Sequence, residues 1–278
     1  MLKLTLRAPS TIPLELDGIT PERVANLSPL EVAKLPVQHG NRSEPLGEFF
    51  DVIPDTHRFA DLHFAGDTRN VKHIGARMTC GSIYAEGPVG LHAGAQMSGG
   101  SLTLDSGAAG WLGAEMKGGE IEVRGNAGDQ VGAAYRGSRR GMTGGTIFVR
   151  GSAGDELGLL MRRGMIVVEG ACGEFAGASM IAGTLVLLGE VGARCGAGMK
   201  RGTILTAREP QLPASFRFAC EYRPTFLPLY LAKLRAMGVS VPPALATGTV
   251  RCFRGDLLTG GRGEVLVGGE PRSASTRQ

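Results

Sequence analysis

The sequence is poor in the side chains on which extracellular scaffolds and many active sites depend. Its 278 residues include five cysteines, one tryptophan and four tyrosines. The cysteine count is odd and no C-x-x-C pair occurs, which argues against a disulfide framework and against a zinc or iron–sulfur site. No run approaches the ~18 apolar residues of a membrane-spanning helix, and the first ten residues alternate apolar and polar. We therefore expect a cytoplasmic protein without membrane contact.

Strong charge and metal-binding patterns are also missing. The net charge is +4 and no basic tract occurs, so we expect no nucleic-acid partner. None of the histidines stands in an H-x-H or H-E-x-x-H pattern; they are His39, His57, His63, His73 and His92. We expect no metal site and no catalytic residue on this chain.

Glycine, in contrast, is abundant and regularly spaced. The chain has 44 glycines, more than twice the usual share of roughly 7%. One glycine of a recurring phrase serves as a marker, and the gaps between successive markers are 19, 19, 26, 19, 19 and 19 residues. The longer gap is explained if residues 134–140 are an insertion. The markers are Gly81, Gly100, Gly119, Gly145, Gly164, Gly183 and Gly202.

Each repeat has the pattern of one short strand followed by corners. A branched aliphatic residue stands two positions after every marker, and most repeats have another apolar residue two positions further on, which is the period of a half-buried strand. Glycines six, nine and thirteen positions after the marker are typical of corners, because glycine adopts positive φ without strain. This pattern predicts an all-β solenoid, a right-handed parallel β-helix of about eight coils. A left-handed hexapeptide helix is the alternative, but these glycines do not recur every six residues.

An earlier, degenerate coil precedes the first marker. Counted from Leu62, we place Phe64 at the second position and Ile74, Gly75 and Ala76 at the twelfth to fourteenth positions.

Seven of the ten methionines lie three residues before a marker: Met78, Met97, Met116, Met142, Met161, Met180 and Met199. Thioether side chains can bind Cu(I). In a regular repeat of 19 residues, however, the methionine lies sixteen positions after the preceding marker, which is an even number like the two and four of the buried aliphatic residues. Methionine also fills irregular core spaces readily. No cysteine or histidine is interleaved with them, so we predict a structural role in the core for the methionines and the marker glycines.

Charged residues recur at two positions of the repeat. Asp129, Asp155 and Glu174 share the tenth position after the marker, which is more typical of a solvated corner than of a catalytic groove. Basic residues recur one or two positions before the marker, at Lys117, Arg162, Arg163, Lys200 and Arg201, and the insertion adds Arg136, Arg139 and Arg140. Stacked repeats would place several of these cations on one ridge, which could hold an acidic partner or ligand or be merely solvated.

The flanks suggest a division into three parts: a strand and helix segment at 1–58, the β-helix at 59–209, and a capping helix with a strand pair at 210–278. Helices are predicted to begin at Thr20-Pro21 and at Ser28, the latter with a capping box. A helix over Thr225–Met237 is predicted to cover the end of the solenoid, with an apolar face made of Phe226, Leu229, Tyr230, Leu234 and Met237. Residues 251–258 and 263–267 suggest a last strand pair, and the polar residues 270–278 are expected to fray.

These phrases resemble a known family. The G-x-x-M-x-G-G-x-[IL]-x-[VL]-x-G repeats resemble the C-terminal β-helix domain of glutamate synthase large subunits. The flanks resemble the C subunit of formylmethanofuran dehydrogenase, through the segments I19-T-P-E-R, L35-P-V-Q-H-G-N-R, L46-G-E-F-F-D-V, F253-R-G-D and G261-R-G-E. The resemblance covers nearly the whole chain, and the flanking phrases are its more specific part.

The resemblance implies a non-catalytic scaffold in a one-carbon complex with hydrolase-like, dehydrogenase-like and formyltransferase subunits. In one version, formyl-tetrahydromethanopterin donates a formyl group to a methanofuran-like carrier, which is hydrolysed to formate. In the other, an archaeal-type enzyme uses molybdenum or tungsten. The excess of arginine over lysine, 24 against 6 by count, favours the bacterial version. The resemblance implies no cofactor on this chain, and Arg136, Arg139 and Arg140 are candidates to contact the carrier's acidic tail.

Two other classes of function remain open. A stand-alone β-helix enzyme acting on an anionic polymer would need clustered carboxylates and basic residues in one groove. A glutamate-synthase-like supporting domain would need the rest of that enzyme to come from another chain.

Overall fold

A computed structural model describes residues 1–55 and 60–269. It is rich in β-structure, and most strands lie in one thirteen-stranded sheet. The expected fraying of 270–278 falls outside the described residues. Within those ranges no helix combines the length and apolarity needed to cross a membrane.

The N-terminal segment forms short strands and two short helices. The predicted capping box is confirmed: the Ser28 side chain accepts from Glu31 N, and the Glu31 side chain accepts from Ser28 N. The elements are β1 (Leu2–Leu6), β2 (Leu14–Glu15), α1 (Pro21–Val24), α2 (Pro29–Ala33), β3 (Pro36–His39), β4 (Arg42–Pro45), a 3-10 turn (Leu46–Glu48) and β5 (Phe50–Pro54). Strand β1 joins the large sheet, while β2, β3 and β4 belong to a separate four-stranded sheet.

The repetitive region supplies one strand of the large sheet per repeat. These strands are β6 (Leu62–Ala65), β8 (Ser82–Ala85), β9 (Ser101–Leu104), β10 (Glu120–Val123), β11 (Thr146–Val149), β12 (Met165–Val168), β13 (Thr184–Leu187) and β14 (Thr203–Thr206), and β7 (Val71–Lys72) completes the small sheet. Neighbours pair in parallel at equal repeat positions. A second row of parallel bridges runs from Val89 to Val191 at the eighth position after the marker.

The insertion lies where the spacing predicts. Ile121 pairs with Ile147 across the 26-residue gap, so strand register is kept. The backbone amides of Ala134 and Gly141 donate to the consecutive carbonyls of Leu159 and Leu160. The chain therefore leaves the repeat at residue 134 and returns at 141.

The degenerate first repeat differs from the expectation in its strand register. Leu62 pairs with Ile83, and Phe64 pairs with Ala85. Phe64 thus occupies the fourth position after the marker and not the second, because this repeat has two extra residues between its strand and Gly75. The side chain of Phe64 is nevertheless fully buried, since a shift by two residues keeps the same face inward.

Methionine and glycine recur together because six of the seven methionines pack over the marker of the next repeat, and the seventh, Met199, packs over Gly263. All seven methionines are fully buried, and all seven marker glycines have positive φ. A Cβ built on Gly119 would lie 2.6 Å from Met97 Cε, and one built on Gly202 would lie 2.7 Å from Met180 Cε. Any side chain at a marker would therefore be strained, and at every marker after Gly81 it would displace the methionine that packs over it.

The C-terminal segment extends the sheet beyond the last repeat. Its elements are β15 (Arg217–Tyr222), α3 (Leu227–Ala236), α4 (Pro243–Ala246), β16 (Val250–Gly255), a 3-10 turn (Leu257–Thr259) and β17 (Gly263–Gly268). The expected strand pair is confirmed as β16 and β17, and β17 adds in parallel to β14. These strands, and not the helix, continue the end of the sheet.

Helix α3 packs on the outward side of the sheet, so the expectation that it caps the solenoid end is wrong. It lies in one apolar cluster with outward residues of β11 to β14, such as Phe148 and Val186. Its buried face consists of Leu227, Leu231 and Leu234. The predicted face was also partly wrong, because Leu229 is 74% exposed.

Candidate functional site: a basic cleft

The two positions before each marker lie at the entrance to a strand, and three successive repeats fill them differently. The repeat of Gly164 has Arg162 and Arg163, and the repeat of Gly202 has Lys200 and Arg201. The repeat between them has Ile181 and Ala182. Strands stack about 4.8 Å apart, so the two basic pairs are separated by roughly 10 Å across a strip of smaller, uncharged side chains.

These residues line a cleft of about 700 Å³ that the C-terminal segment completes with Thr259, Gly260 and Arg262. Thr203 pairs with Glu264, and this register places Arg262 opposite Arg201. Gly260 and Gly261 both have positive φ, which lets the chain turn tightly into β17. We call the site formed by Arg162, Arg163, Lys200, Arg201 and Arg262 the basic cleft.

Among the residues that the structure describes, no carboxylate neutralises the charges of the basic cleft. No carboxylate is among its lining residues. Within 1–55 and 60–269, none of the five cationic side chains makes an ion pair. Arg150, by comparison, contacts Glu122 at 2.8 Å and Glu169 at 3.9 Å. Cations that converge on one depression in this way are chemically suited to an anionic ligand, since each can donate charge-assisted hydrogen bonds.

The structure brings together only some of the basic residues that the sequence predicts on one ridge. Four of its members line the basic cleft, but Lys117 does not. The inserted arginines Arg136, Arg139 and Arg140 are exposed, and they are not lining residues of the cleft either. Sequence reasoning missed Arg262, because only the pairing of β17 with β14 places it in this row.

The insertion itself is anchored by an aromatic contact. The Tyr135 hydroxyl lies 3.0 Å from His92 Nδ1, and its ring lies 6.4 Å from that of Trp111. Burial raises the pKa of Tyr135 to about 12, so the hydroxyl stays protonated. Half-buried Tyr135 thereby holds the start of the insertion against the body of the protein.

The anchor belongs to a stack of rings at the eleventh repeat position. The ring centroids of His73 and His92 are 4.9 Å apart, and those of His92 and Trp111 are 5.4 Å apart. All three residues have positive φ. Burial lowers the pKa of both histidines below the usual value. We did not predict this stack, although the three residues follow one another at the repeat spacing of 19 residues.

Two of the carboxylates at the tenth position bind backbone amides of the next repeat, and the third, Glu174, pairs with Arg194 at 3.4 Å. Asp129 Oδ1 accepts from Asp155 N at 2.9 Å, and Asp155 Oδ1 accepts from Glu174 N at 2.7 Å. The row is therefore a hydrogen-bond ladder between successive repeats.

His63 is buried and lies between two carboxylates. His63 Nδ1 lies 3.2 Å from Asp55, and His63 Nε2 lies 2.8 Å from Glu86. His57 lies outside the described residues. Across those residues, no group of three or more histidine, cysteine or acidic side chains is arranged to hold a metal ion.

Comparison with known proteins gives matches of different extent. Residues 138–216 match the family model described as the GXGXG motif. The chain is 42% identical over 80 residues to the C subunit of a molybdenum-containing formylmethanofuran dehydrogenase from Methanothermobacter marburgensis, covering 29% of this chain and 20% of the relative. It is 36% identical over 91 residues to the C subunit of a tungsten-containing formylmethanofuran dehydrogenase from Methanococcus maripaludis, covering 33% and 34%. The chain thus matches between a fifth and a third of the length of these curated relatives.

A solved structure matches over almost the full length. It is a crystal structure of the formyltransferase/hydrolase complex from Methylorubrum extorquens in complex with methylofuran, and the alignment covers 96% of this chain and 100% of the matched chain. The sequence identity is 34% and the TM-score is 0.88.

Proposed function

Because the chain belongs to the family of formylmethanofuran dehydrogenase C subunits, we propose that it is the scaffold of a formyltransferase/hydrolase complex. This complex would transfer a formyl group from formyl-tetrahydromethanopterin to a methanofuran-like carrier and hydrolyse it to formate. The observation that carries the proposal is the full-length similarity to a chain of such a complex, at 34% identity. The matches to the molybdenum and tungsten enzymes cover much smaller shares of those relatives.

The scaffold role is supported by the chemistry of the described residues. Asp129 and Asp155 accept from backbone amides, Glu174 pairs with Arg194, and His63 is held between two carboxylates. A regular stack of repeats offers long flat faces to partners, while its corners vary without breaking the core. The parallel pairing of repeats supports a right-handed β-helix at 59–209, flanked by segments 1–58 and 210–278. Hydrolase-like, dehydrogenase-like and formyltransferase subunits are the partners that follow from this proposal.

The basic cleft is the part of the scaffold that we assign to the carrier. The solved relative is in complex with methylofuran, and a carrier with an acidic tail would neutralise the five unpaired cations. The exposed arginines of the insertion, Arg136, Arg139 and Arg140, are a second candidate surface for the same tail. The cleft is favoured because its cations converge on one depression, whereas those of the insertion lie on an open loop.

A second candidate function is that of the C subunit in an archaeal-type molybdenum or tungsten formylmethanofuran dehydrogenase. The 42% identity over 80 residues to the molybdenum-containing relative favours it. A stand-alone enzyme acting on an anionic polymer is less well supported, because the basic cleft has no carboxylate among its lining residues for acid–base catalysis.

Formate release tests the proposal directly. The chain, carrying an affinity tag, is purified from extracts of its native host with associated proteins, and formyl-tetrahydromethanopterin is supplied. We expect formate from the assembled complex and none from the isolated chain. Activity of the isolated chain would contradict the scaffold role, and carbon dioxide reduction by a molybdenum- or tungsten-containing assembly would support the second candidate.

Charge-reversal variants in the same assay test whether the carrier's acidic tail binds in the basic cleft. Lys200→Glu changes a cleft cation, and Lys117→Glu makes the same change at the same repeat position outside the cleft. We expect turnover of the carrier to fall in the first variant only, with an altered dependence on salt. If only the triple charge reversal of Arg136, Arg139 and Arg140 lowered turnover, the carrier's tail would belong to the insertion instead.

A further inference from the structure

Two cysteines face each other across the last antiparallel strand pair. Cys220 of β15 and Cys252 of β16 are direct partners in the strand register. Side chains of directly opposed residues lie on the same face of a sheet, with Cβ atoms about 4.5–5.5 Å apart. A disulfide requires Cβ atoms about 3.5–4.5 Å apart. On these ranges, the two Cβ atoms need to approach each other by at most about 2 Å for a disulfide to form.

The strand that carries Cys220 is free to make this adjustment. Among the strands of the described ranges, β15 is the edge of the thirteen-stranded sheet and pairs with β16 alone. Residues 217–221 are all exposed, and the register shifts between Phe218 and Cys220. The ring of Phe218 contacts that of Phe253 and Tyr222 packs against the cluster beneath α3, but an edge strand that is bulged and exposed at Cys220 can move toward its neighbour there with little loss of contact.

The two thiols also differ in accessibility. Cys220 is exposed, whereas Cys252 is only 2% exposed and belongs to the apolar cluster beneath α3. Burial raises the pKa of the Cys252 thiol, and the neighbouring Arg254 opposes this shift. An oxidant therefore meets Cys220 first, and Cys252 is placed to react with the product.

We propose that Cys220 and Cys252 form a reversible redox site that closes into an intrachain disulfide by exchange with a low-molecular-weight disulfide such as glutathione disulfide. The Cys220 thiolate attacks one sulfur of glutathione disulfide, and one glutathione thiolate leaves. The Cys252 thiolate then attacks the Cys220 sulfur of this mixed disulfide and expels the second glutathione. The two protein thiols lose two electrons and two protons, and one glutathione disulfide becomes two glutathione molecules.

The other three cysteines lack the combination of an exposed thiol and a second cysteine directly opposite it. Cys172 and Cys195 are buried, and burial raises the pKa of each to about 12, which suppresses their thiolate forms. Cys80 is exposed, but the cavity in which it lies has no other cysteine among its lining residues. Cys80 is therefore a control for a thiol that an oxidant reaches but no second cysteine resolves.

The full-length chain is reduced, equilibrated in glutathione buffers of increasing oxidised fraction, quenched with acid and digested without reduction. We expect a disulfide-linked peptide pair containing Cys220 and Cys252, a mass loss of about 2 Da for that pair, and a glutathione adduct on Cys80. Hydrogen exchange of β15 amides should slow in the oxidised form, because the bridge ties the edge strand to β16.

Single variants separate this site from ordinary surface oxidation. Cys252→Ser should accumulate the glutathione adduct at Cys220, and Cys220→Ser should leave Cys252 unmodified. Cys80→Ser should keep the 220–252 link. A stable glutathione adduct at Cys220 in the unsubstituted chain, without conversion to the link, would overturn the proposal, as would a link between any other pair.

Discussion

Charge reversal at Arg201 should weaken the binding of an acidic ligand measurably. Arg201 lies in the basic cleft, opposite Arg262, and its reversal changes the summed charge of the five cations from +5 to +3. An exposed ion pair contributes about 0.2–1 kcal/mol. Reversal replaces that attraction by a repulsion of similar size, so the loss is about 0.4–2 kcal/mol, or about 2- to 30-fold in the dissociation constant.

The assay is fluorescence anisotropy of a labelled oligoglutamate titrated with the purified chain. We expect binding to weaken in Arg201→Glu and the difference to shrink as salt is raised, because the screening length falls to about 10 Å at 0.1 M. Lys117→Glu carries the same change in net charge at an exposed position outside the cleft. Equal weakening by both variants would show that total charge, and not the cleft, determines binding.

Further predictions concern the core and the ring stack. Met161→Ala should lower the free energy of unfolding by about 2–5 kcal/mol, because the Met161 side chain is fully buried; Leu258→Ala, at a residue 87% exposed, should change it by less than about 0.5 kcal/mol, and similar losses in denaturant titrations of both would contradict the packing account. Burial lowers the pKa of His73 and His92 in the folded chain, so the unfolded chain binds more protons as the pH falls below about 6.5. The melting temperature should therefore drop on acidification through that range and drop less in His92→Asn; an unchanged pH profile would exclude this linkage. Tyr135→Phe keeps the ring but removes the hydroxyl that lies 3.0 Å from His92, and should cost about 0.5–1.5 kcal/mol while speeding hydrogen exchange in 134–140; unaltered exchange would mean that the stacked ring alone anchors the insertion.

The repeat was predictable because its glycine and methionine positions accept few other residues. Marker glycines such as Gly119 have positive φ and a methionine tip directly above them, so both residue types recur at fixed spacing. Alternating aliphatic residues then specify the strands, and the surplus of seven residues locates the insertion. These signals are local and periodic, and they can therefore be recognised in a single sequence.

The position of helix α3 was not predicted, although part of its signal was present. The outward residues of β8 to β10 include Tyr84, Thr103 and Glu122, whereas β11 to β13 have Phe148, Val167 and Val186 at the equivalent position. This change from polar to apolar marks the covered face of the sheet. We had considered only the alternation within each strand, and therefore predicted that the helix covers the end of the solenoid.

The candidate site was only partly predictable for a related reason. Arg162, Arg163, Lys200 and Arg201 follow the repeat and were identified by their spacing. Arg262 lies some sixty residues beyond the last of them and reaches the row only through the pairing of β17 with β14. Such a contact depends on topology, and no local pattern in the sequence encodes it.

If this chain holds together a formyltransferase/hydrolase complex, as we propose, the other subunits must accompany it, and mass spectrometry can identify them. The tagged chain is recovered under gentle conditions from extracts of its native host, and its partners are identified and quantified. We expect hydrolase-like and formyltransferase subunits in fixed proportion to this chain. Recovery of the chain alone, or with glutamate-handling subunits in their place, would contradict it.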